Sequence, residues 1–353
     1  MLAICILCPR EIHRQSEPEP DQNGSMNAGT DFWSARRVLV TGGHGFLGSH
    51  LLQLLASRGC DDLVAPSRAE SDLTDPEAVR QLVQASRPDI IMHLAAEVGG
   101  IGANLTSPGR FFYANLAMGL HLMEEARCAG VEKFVQLGTI CAYPKNTPVP
   151  FREEDLWNGY PEESNAPYGI AKKALLVQLQ AYRAQYDFQG VYLLPVNLYG
   201  PRDNFDLETS HVIPAVIRKM VDAKEAGLDT VTLWGSGTAS REFLYVEDCA
   251  RAVALAAEHY SGADPVNVGT GSEITIENLA HEIARAVGFG GDIVWDRSRP
   301  DGQPRRCLDT SRAADAFGFK AEVPFGDGLD RTVQWYLENR VSAATPRAAK
   351  GNS

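Results

Sequence analysis

The sequence predicts an α/β fold in which a doubly wound parallel sheet is accompanied by a smaller C-terminal lobe. Three observations support this prediction. Short runs rich in β-branched residues alternate with amphipathic stretches of helical length, which is typical of parallel strands joined by crossover helices. The first run leads directly into a glycine-rich turn. The chain has 353 residues, enough for two lobes at roughly 150 residues each.

The alternating pattern lies before Pro201. The predicted strands, in chain order, are RVLVT (37–41), DLVA (62–65), DIIMHLA (89–95), KFVQLG (133–138) and VYLLPVN (191–197). The predicted helices are the stretch around the leucine pairs 51/52 and 54/55, PEAVRQLVQAS (76–86), 108–129 and 168–186. Because helices separate the strands, all the strands can run parallel and form a Rossmann-like, doubly wound sheet.

Beyond Pro201 the spacing becomes irregular and rich in glycine and proline. We therefore predict an NADP-binding Rossmann domain over residues 34–200, to which a segment at about 243–270 returns. The substrate-binding lobe is predicted to consist of residues 201–242 and 271–340.

Both ends of the chain are polar. Residues 1–33 include EPEPDQNGSMNAGT, and the chain ends in SAATPRAAKGNS. Such segments bury too little apolar surface to order themselves. We expect 1–33 and 341–353 to be flexible, and the sequence leaves open whether translation starts at Met1 or at Met26.

Charge and composition limit the kinds of partner. The chain has 33 Lys and Arg against 45 Asp and Glu, a formal net charge of −12. A strong general attraction to nucleic acid or anionic lipid is not expected from an acidic chain. No apolar run approaches the ~18 residues that a membrane span requires. We expect neither a nucleic acid nor a membrane as partner.

The seven cysteines do not suggest a disulfide framework, because their number is odd and their spacing irregular. Cys5 and Cys8 form the only Cys-x-x-Cys, and no second pair or histidine cluster would complete a zinc site. The apolar stretch 2–8 lacks the preceding positive charge and the cleavage site of a signal peptide. We therefore expect no metal and a cytoplasmic location.

The first strand leads into Gly42, Gly45 and Gly48, which form a G-x-x-G-x-x-G turn before a helix. Glycines at these positions permit a tight turn and bring the N–H groups of the helix close to a pyrophosphate. A plain strand-to-helix turn is the alternative. The position after the first strand favours dinucleotide binding.

The end of the second strand points to the phosphorylated cofactor. An NAD site usually places an acid there to bind the ribose 2′-OH. This chain has Arg68 at that point and no carboxylate among residues 65–68. A guanidinium matches a 2′-phosphate, and we predict NADP(H). The alternative is that Arg68 points into solvent.

Tyr168 and Lys172 lie four residues apart and therefore share one face of a helix. An ammonium close to a phenol favours the phenolate, so the pair predicts proton exchange with a carbonyl or an alcohol. A preceding strand ends at Thr139, whose hydroxyl can donate to the same oxygen.

The glycine turn, the missing acid, Thr139 and the Tyr168/Lys172 pair, in this order, resemble the extended short-chain dehydrogenase/reductase family over about residues 36–340. Longer strings resemble the members of that family that act on GDP-linked 4-keto sugars. These strings are HLAAEVGGIGAN (93–104), LGTICAYPK (137–145), NLYGPRDNF (197–205), SHVIPAVI (210–217), LWGSGTASREFLYVEDCA (233–250) and PDGQPRRCLD (300–309).

The resemblance implies epimerisation of the sugar at C3 and C5, followed by reduction of the C4 ketone with NADPH. Cys141 and His211 match the residues that exchange the C3 and C5 protons. Tyr168 would protonate the C4 oxygen, Lys172 would tune Tyr168, and Thr139 would polarise the ketone. Most relatives have serine where this chain has Thr139. By residue type alone, Cys141 would be a small buried apolar residue and His211 a helix cap.

The resemblance also implies binding residues. For the cofactor they are Gly42, His44, Gly45, Phe46, Leu47, Gly48, Arg68, Lys172 and His211. His44 replaces an arginine that some relatives direct at the 2′-phosphate. For the GDP-sugar substrate they are Asn197, Lys219, Trp234, Arg241 and Asp301. Trp234 could instead belong to the core. Four acidic residues, Glu153, Glu154, Glu162 and Glu163, are interpreted as a solvated face.

A homodimer is also implied, with the helices 108–129 and 168–186 pairing with their copies in a partner. Leu116, Leu120, Leu175 and Leu176 would supply the contact face, unless they pack within one subunit. Three other functions stay open. The chain could act on another GDP-4-keto sugar, such as a heptose or a dideoxy sugar, epimerise without net reduction, or bind NADP without catalysis.

Overall fold

The computed structural model describes residues 32–99, 106–298 and 302–343. The predicted tails lie almost wholly outside these ranges, and so do Asp301, Cys5 and Cys8. The strands are β1 (Arg37–Thr41), β2 (Asp62–Val64), β3 (Ile90–His93), β4 (Lys133–Leu137), β5 (Gly190–Pro195), β6 (Asn197–Tyr199), β7 (Thr230–Trp234), β8 (Ser240–Tyr245), β9 (Val266–Val268), β10 (Glu273–Thr275), β11 (Asp292–Asp296) and β12 (Arg305–Arg306).

The helices are α1 (Phe46–Ser57), α2 (Pro76–Ser86), α3 (Pro108–Ala129), α4 (Ala166–Tyr186), α5 (Val212–Glu225), α6 (Val246–His259), α7 (Ile276–Val287), α8 (Ser311–Phe317) and α9 (Phe325–Ala343). Several begin or end where the sequence signals it. Asp75 accepts the N–H of Glu77 and caps α2, which has Pro76 in its first turn. Gly130 ends α3 in the left-handed conformation.

A six-stranded parallel sheet forms the centre of the larger unit, in the order β2-β1-β3-β4-β5-β9. β1 pairs with β2 on one side and with β3 on the other. The strand order reverses between β1 and β3, and such a switch point is where open parallel sheets bind ligands. The predicted doubly wound fold class is confirmed.

The apolar side chains form two cores. The first core surrounds the six-stranded sheet and includes Leu39, Ile91, Val135 and Leu193. The second core includes Phe205, Ile217, Leu233, Ile283 and Tyr336, from the chain after Gly200. The small sheet β10-β8-β12, with β6 paired to β8, connects the two cores.

Segment 243–270 supplies α6 and β9 to the first core. One part of the expected lobe differs. Phe317 and Phe319, within 271–340, pack into the first core and not the second. Tyr260 contacts Phe317 with ring centroids 5.9 Å apart. The contact of α8 with Tyr260, directly after α6, thus holds this stretch on the larger unit, and the division into domains stays a prediction.

The helices α3 and α4 pack closely against each other. A side chain at Gly119 would overlap Leu175, which explains why glycine occupies this contact. Leu175 and Leu176 are fully buried within the subunit, so the prediction that they face a partner is wrong. Leu120, by contrast, is 44% exposed. Within the described ranges, no helix combines the length and apolar character that crossing a membrane requires.

Candidate active site

A cleft of about 1100 Å³ opens between the carboxyl ends of the large sheet and the second core. All site residues predicted from the sequence line it, apart from Asp301, which lies outside the described residues. They are Gly42, His44, Gly45, Phe46, Leu47, Gly48, Arg68, Thr139, Cys141, Tyr168, Lys172, Asn197, His211, Lys219, Trp234 and Arg241. The fold brings these residues together, and their individual roles stay predictions.

The glycine turn connects β1 to α1 and has no room for side chains. Gly42 has a φ of 71°, a conformation that favours glycine. A Cβ on Gly42 would lie 2.8 Å from the backbone nitrogen of Ala95, and one on Gly48 would lie 2.6 Å from the Cα of Gly43. Gly45 precedes α1 and makes no side-chain cap. The first N–H groups of α1 can therefore bind an anion in the cleft.

Arg68 lines the same end of the cleft, with 64% of its side chain exposed. Its guanidinium forms an ion pair with Glu97 at 3.0 Å and a longer one with Asp72 at 3.9 Å. Arg110 also contacts Glu97, at 2.7 Å, and its hydrogen bonds are the main reason that the pKa of this carboxyl is lowered. A 2′-phosphate at Arg68 would therefore compete with Glu97.

Three groups lie together in the middle of the cleft. Thr139 caps a short 3-10 helix (Ile140–Ala142), and its hydroxyl accepts the N–H of Cys141 at 3.2 Å. The same hydroxyl interacts with Tyr168 and acts to lower the pKa of its phenol. Lys172 lies one turn further along α4; its Nζ donates to the carbonyl oxygen of Leu137 at 3.1 Å and is 6.0 Å from the centroid of the Tyr168 ring.

Burial controls the protonation of this cluster. It raises the pKa of Tyr168, with a further contribution from Cys141, while the Thr139 hydrogen bond opposes the rise. Burial lowers the pKa of Lys172 to about 8. The predicted lowering of the tyrosine pKa by Lys172 is wrong for this structure, because desolvation is the larger effect.

His211 immediately precedes α5 and opens onto the cleft from the second core. Its side chain makes no hydrogen bond to the start of that helix, so the alternative of a helix cap is not supported. Water reaches the ring through the cleft, although many protein atoms surround it, and this desolvation lowers its pKa.

The far end of the cleft carries cationic and aromatic groups. Lys219 places its Nζ 5.5 Å from the centroid of the Trp234 ring and donates to the carbonyl oxygen of Thr232 at 3.2 Å. Trp234 is 62% exposed, so the alternative that it belongs to the core is wrong. Arg241 and Asn197 lie on β8 and β6, where Asn197 donates to the Glu242 carbonyl oxygen at 3.1 Å.

The acidic residues do not form one solvated face. Glu153 is buried and accepts the N–H of Asn267 at 2.9 Å, and burial raises its pKa. Glu162 lines the cleft and accepts a hydrogen bond from Asn165 at 3.2 Å. Glu154 and Glu163 are exposed, as predicted.

Sequence reasoning missed two residues of the cleft, one of which contacts Cys141. Arg306 and Gln303 line the cleft and hydrogen-bond to each other at 2.8 Å. Both lie within PDGQPRRCLD, the last of the quoted strings. The resemblance of that string could have placed both residues in the predicted site. Nothing in the string indicates which side chain reaches the thiol.

Comparison with known proteins finds a matching family model, similar protein sequences and similar solved structures. The model of the family described as "NAD dependent epimerase/dehydratase family" matches residues 38–269. A protein of Oryza sativa subsp. japonica named "Probable GDP-L-fucose synthase 1" is 44% identical over 308 residues, which is 87% of this chain and 94% of the relative. A "GDP-L-colitose synthase" of Yersinia pseudotuberculosis is 34% identical over 307 residues, 86% of this chain and 99% of the relative.

Among solved structures, a GDP-L-fucose synthetase from Naegleria fowleri bound to NADP matches with a TM-score of 0.83 and 29% identity. The match covers 88% of this chain and 96% of that one. Sequence and structure similarity therefore extend over both cores and the cleft between them.

Proposed function

This chain belongs to the NAD dependent epimerase/dehydratase family, and from that premise we propose that it converts GDP-4-keto-6-deoxy-D-mannose to GDP-L-fucose. The reaction is epimerisation at C3 and C5 followed by reduction at C4, with NADPH as the cofactor. Relatives named GDP-L-fucose synthase at 40–44% identity support it. The observation that carries the proposal is the thiol of Cys141 in one cleft with Thr139, Tyr168 and Lys172, because a simple reductase needs no thiol there.

The residues present fit NADPH. The glycine turn packs so tightly that a Cβ at Gly42 or Gly48 would meet backbone atoms, and the N-terminus of α1 offers N–H donors to a pyrophosphate. Arg68 and His44 line that end of the cleft, where they would hold the 2′-phosphate. Lys172 would bind the nicotinamide ribose. When bound, NADPH supplies the hydride for the ketone.

In the epimerisation, Cys141 would remove the protons at C3 and C5. His211, which enters the cleft from the other core, would return a proton on the opposite face. Each position is α to the ketone, so the negative charge moves onto the C4 oxygen as the proton leaves. The hydroxyls of Thr139 and Tyr168 line the same cleft and would both donate to that oxygen.

In the reduction, Tyr168 would give its proton to the C4 oxygen. Its raised pKa means that the phenol is protonated at neutral pH, as a proton donor must be. Lys172, with a pKa of about 8, would be mostly charged at pH 7 and would stabilise the tyrosinate that remains. Thr139 would keep the ketone polarised throughout.

The GDP portion would bind at the far end of the cleft. Arg241 suits bidentate contacts with a diphosphate, and Lys219 adds a second positive charge close to the exposed ring of Trp234. Asn197 and Asp301 would bind hydroxyl or base atoms.

A second candidate substrate is another GDP-4-keto sugar. The similarity to a relative named GDP-L-colitose synthase favours a dideoxy sugar as this alternative. The residues of the two chemical steps would be the same in both cases, and only contacts with the sugar hydroxyls would differ.

We also propose a cytoplasmic homodimer. Tyr113, Leu120 and Val177, on α3 and α4, are exposed by 63%, 44% and 50% and would provide the contact face. Light scattering at micromolar concentration should give twice the monomer mass of 38.4 kDa. A mass of one subunit would contradict the dimer, and Leu120→Glu should produce that mass if this face is used.

The test of the function is to incubate the purified protein with NADPH and GDP-4-keto-6-deoxy-D-mannose and to identify the sugar. GDP-L-fucose with equal consumption of NADPH is expected. Exchange at C3 and C5 without NADPH consumption would indicate an epimerase, and neither reaction would indicate a non-catalytic protein. A higher kcat/KM for a GDP-4-keto dideoxy sugar or heptose would assign the alternative substrate.

A further inference from the structure

Arg306 places a buried positive charge next to the thiol of Cys141. The residue is 9% exposed, and its Nη1 donates to the Cys141 Sγ at 3.7 Å. The two residues are 165 positions apart in the chain. The contact therefore depends on how the C-terminal segment folds back over the cleft.

The guanidinium is held in place from two directions. Arg306 lies on β12, which pairs in parallel with β8 and sets Arg306 beside Arg241. Its Nε donates to the Gln303 Oε1 at 2.8 Å, and the Gln303 Nε2 donates to the Lys145 carbonyl oxygen at 2.7 Å. Strand pairing and this hydrogen-bond chain together direct the Nη1 at Cys141.

The neighbouring arginine shows what is unusual about Arg306. Arg305 is exposed and forms an ion pair with Glu273. In the described part of the chain, the side chains hydrogen-bonded to Arg306 are those of Gln303 and Cys141, and neither is a carboxylate. A guanidinium remains charged at any ordinary pH, and burying such a charge without a counter-charge is costly. The thiolate of Cys141 is the group in contact that can supply one.

We propose that Arg306 is a positioning residue that stabilises the thiolate of Cys141 and fixes its Sγ towards the substrate. This inference rests on the proposed function, in which that thiolate removes the C3 and C5 protons. A thiolate, and not a thiol, acts as the base, and an adjacent arginine favours it.

The rival explanation is that Arg306 binds the diphosphate or a hydroxyl of the substrate. In that case Arg306→Gln would raise the KM for the GDP-sugar and leave the thiol unchanged. The two explanations differ in a property of the protein without substrate, the reactivity of Cys141.

The experiment measures alkylation of Cys141 by iodoacetamide in the full chain without substrate, with peptide mass spectrometry to separate it from the exposed Cys128. The ratio of rates at about pH 7 and about pH 9 reports the thiolate fraction and cancels changes in access. We expect Arg306→Gln to lower this ratio about tenfold. Arg306→Lys should stay within about threefold of wild type, because it keeps the charge. Arg305→Gln is the matched control and should not change the ratio.

In parallel, deuterium exchange at C3 and C5 should fall about tenfold in Arg306→Gln, with partial recovery in Arg306→Lys. An unchanged alkylation ratio in Arg306→Gln would overturn the proposal, whatever happens to exchange. If Arg306→Gln no longer binds NADPH and has lost its fold, the alkylation ratio of Arg306→Lys tests the proposal instead. A tenfold lower ratio in a lysine variant that still binds NADPH would overturn the role of charge. The alkylation needs no sugar, so a failure of the proposed function would be seen separately.

Discussion

Cys141→Ser and Tyr168→Phe should separate the two chemical stages. Serine keeps the size and the backbone of the short helix that begins after Thr139, whose hydroxyl accepts the N–H of residue 141 at 3.2 Å. The serine hydroxyl is too weak an acid to ionise near pH 7, so the base is lost while the fold is kept. In Tyr168→Phe the thiol and His211 remain, and the proton donor for reduction is lost.

The structure sets the expected magnitudes. A positioned general base contributes about 10²–10⁴-fold, so exchange in Cys141→Ser should fall by about 10³. Tyr168→Phe removes one of two hydroxyl donors to the C4 oxygen and leaves that of Thr139, so exchange should fall by about 10², the usual cost of one such donor. Reduction should fall more in Tyr168→Phe, which lacks the proton donor, than in Cys141→Ser. The ratio of exchange to reduction should therefore fall in Cys141→Ser and rise in Tyr168→Phe.

Exchange is measured as deuterium incorporation from D₂O at C3 and C5 with NADP⁺ in place of NADPH, and reduction as NADPH consumption. Cys128→Ser, on the outer surface of α3, is the control and should behave as wild type. A slow reduction of the unepimerised ketone in Cys141→Ser would give a D-configured sugar. Wild-type exchange in Cys141→Ser would refute the reasoning, because another residue would then be the base.

The remaining predictions concern the cofactor and stability. Arg68→Ala should lower kcat/KM for NADPH about tenfold and leave that for NADH unchanged, because only NADPH carries the 2′-phosphate; equal losses would contradict the assignment. Gly48→Ala should abolish NADPH binding in a fluorescence titration, because its Cβ would lie 2.6 Å from the Gly43 Cα, whereas Gly109→Ala, with open space around it, should bind normally. The pKa of Lys172, about 8 when folded against a usual 10.5, means that the unfolded chain holds more protons between these values. The free energy of unfolding should therefore gain up to about 3 kcal/mol from this group as the pH rises through that window. Lys172→Met should lack that gain in urea titrations at the two ends of the window.

Most strands and helices of the larger unit could be predicted from local sequence. The first strand was predicted with its observed bounds, and α3 likewise, because β-branched runs, proline at a helix start and glycine at a helix end act over a few residues. VYLLPVN was predicted as one strand and is two. The chain leaves the large sheet after Pro195, and Asn197 pairs with Phe243 on β8. A pairing partner so distant in sequence cannot be identified from the run itself.

The difference between local signals and contacts of distant segments also explains which parts of the cleft could be predicted. Thr139 follows the carboxyl end of a parallel strand and the glycine turn follows another, so their meeting at one edge of the sheet is a consequence of topology alone. Arg306 belongs to a two-residue strand that lies parallel to β8, and short strands carry no periodicity to recognise. Its contact with Cys141 joins residues 165 positions apart, and Gln303, which orients Arg306, is held by a hydrogen bond to the Lys145 carbonyl oxygen. The contact between Arg306 and the thiol is therefore a property of the assembled fold, which is why the proposed counter-charge could be found only in the structure.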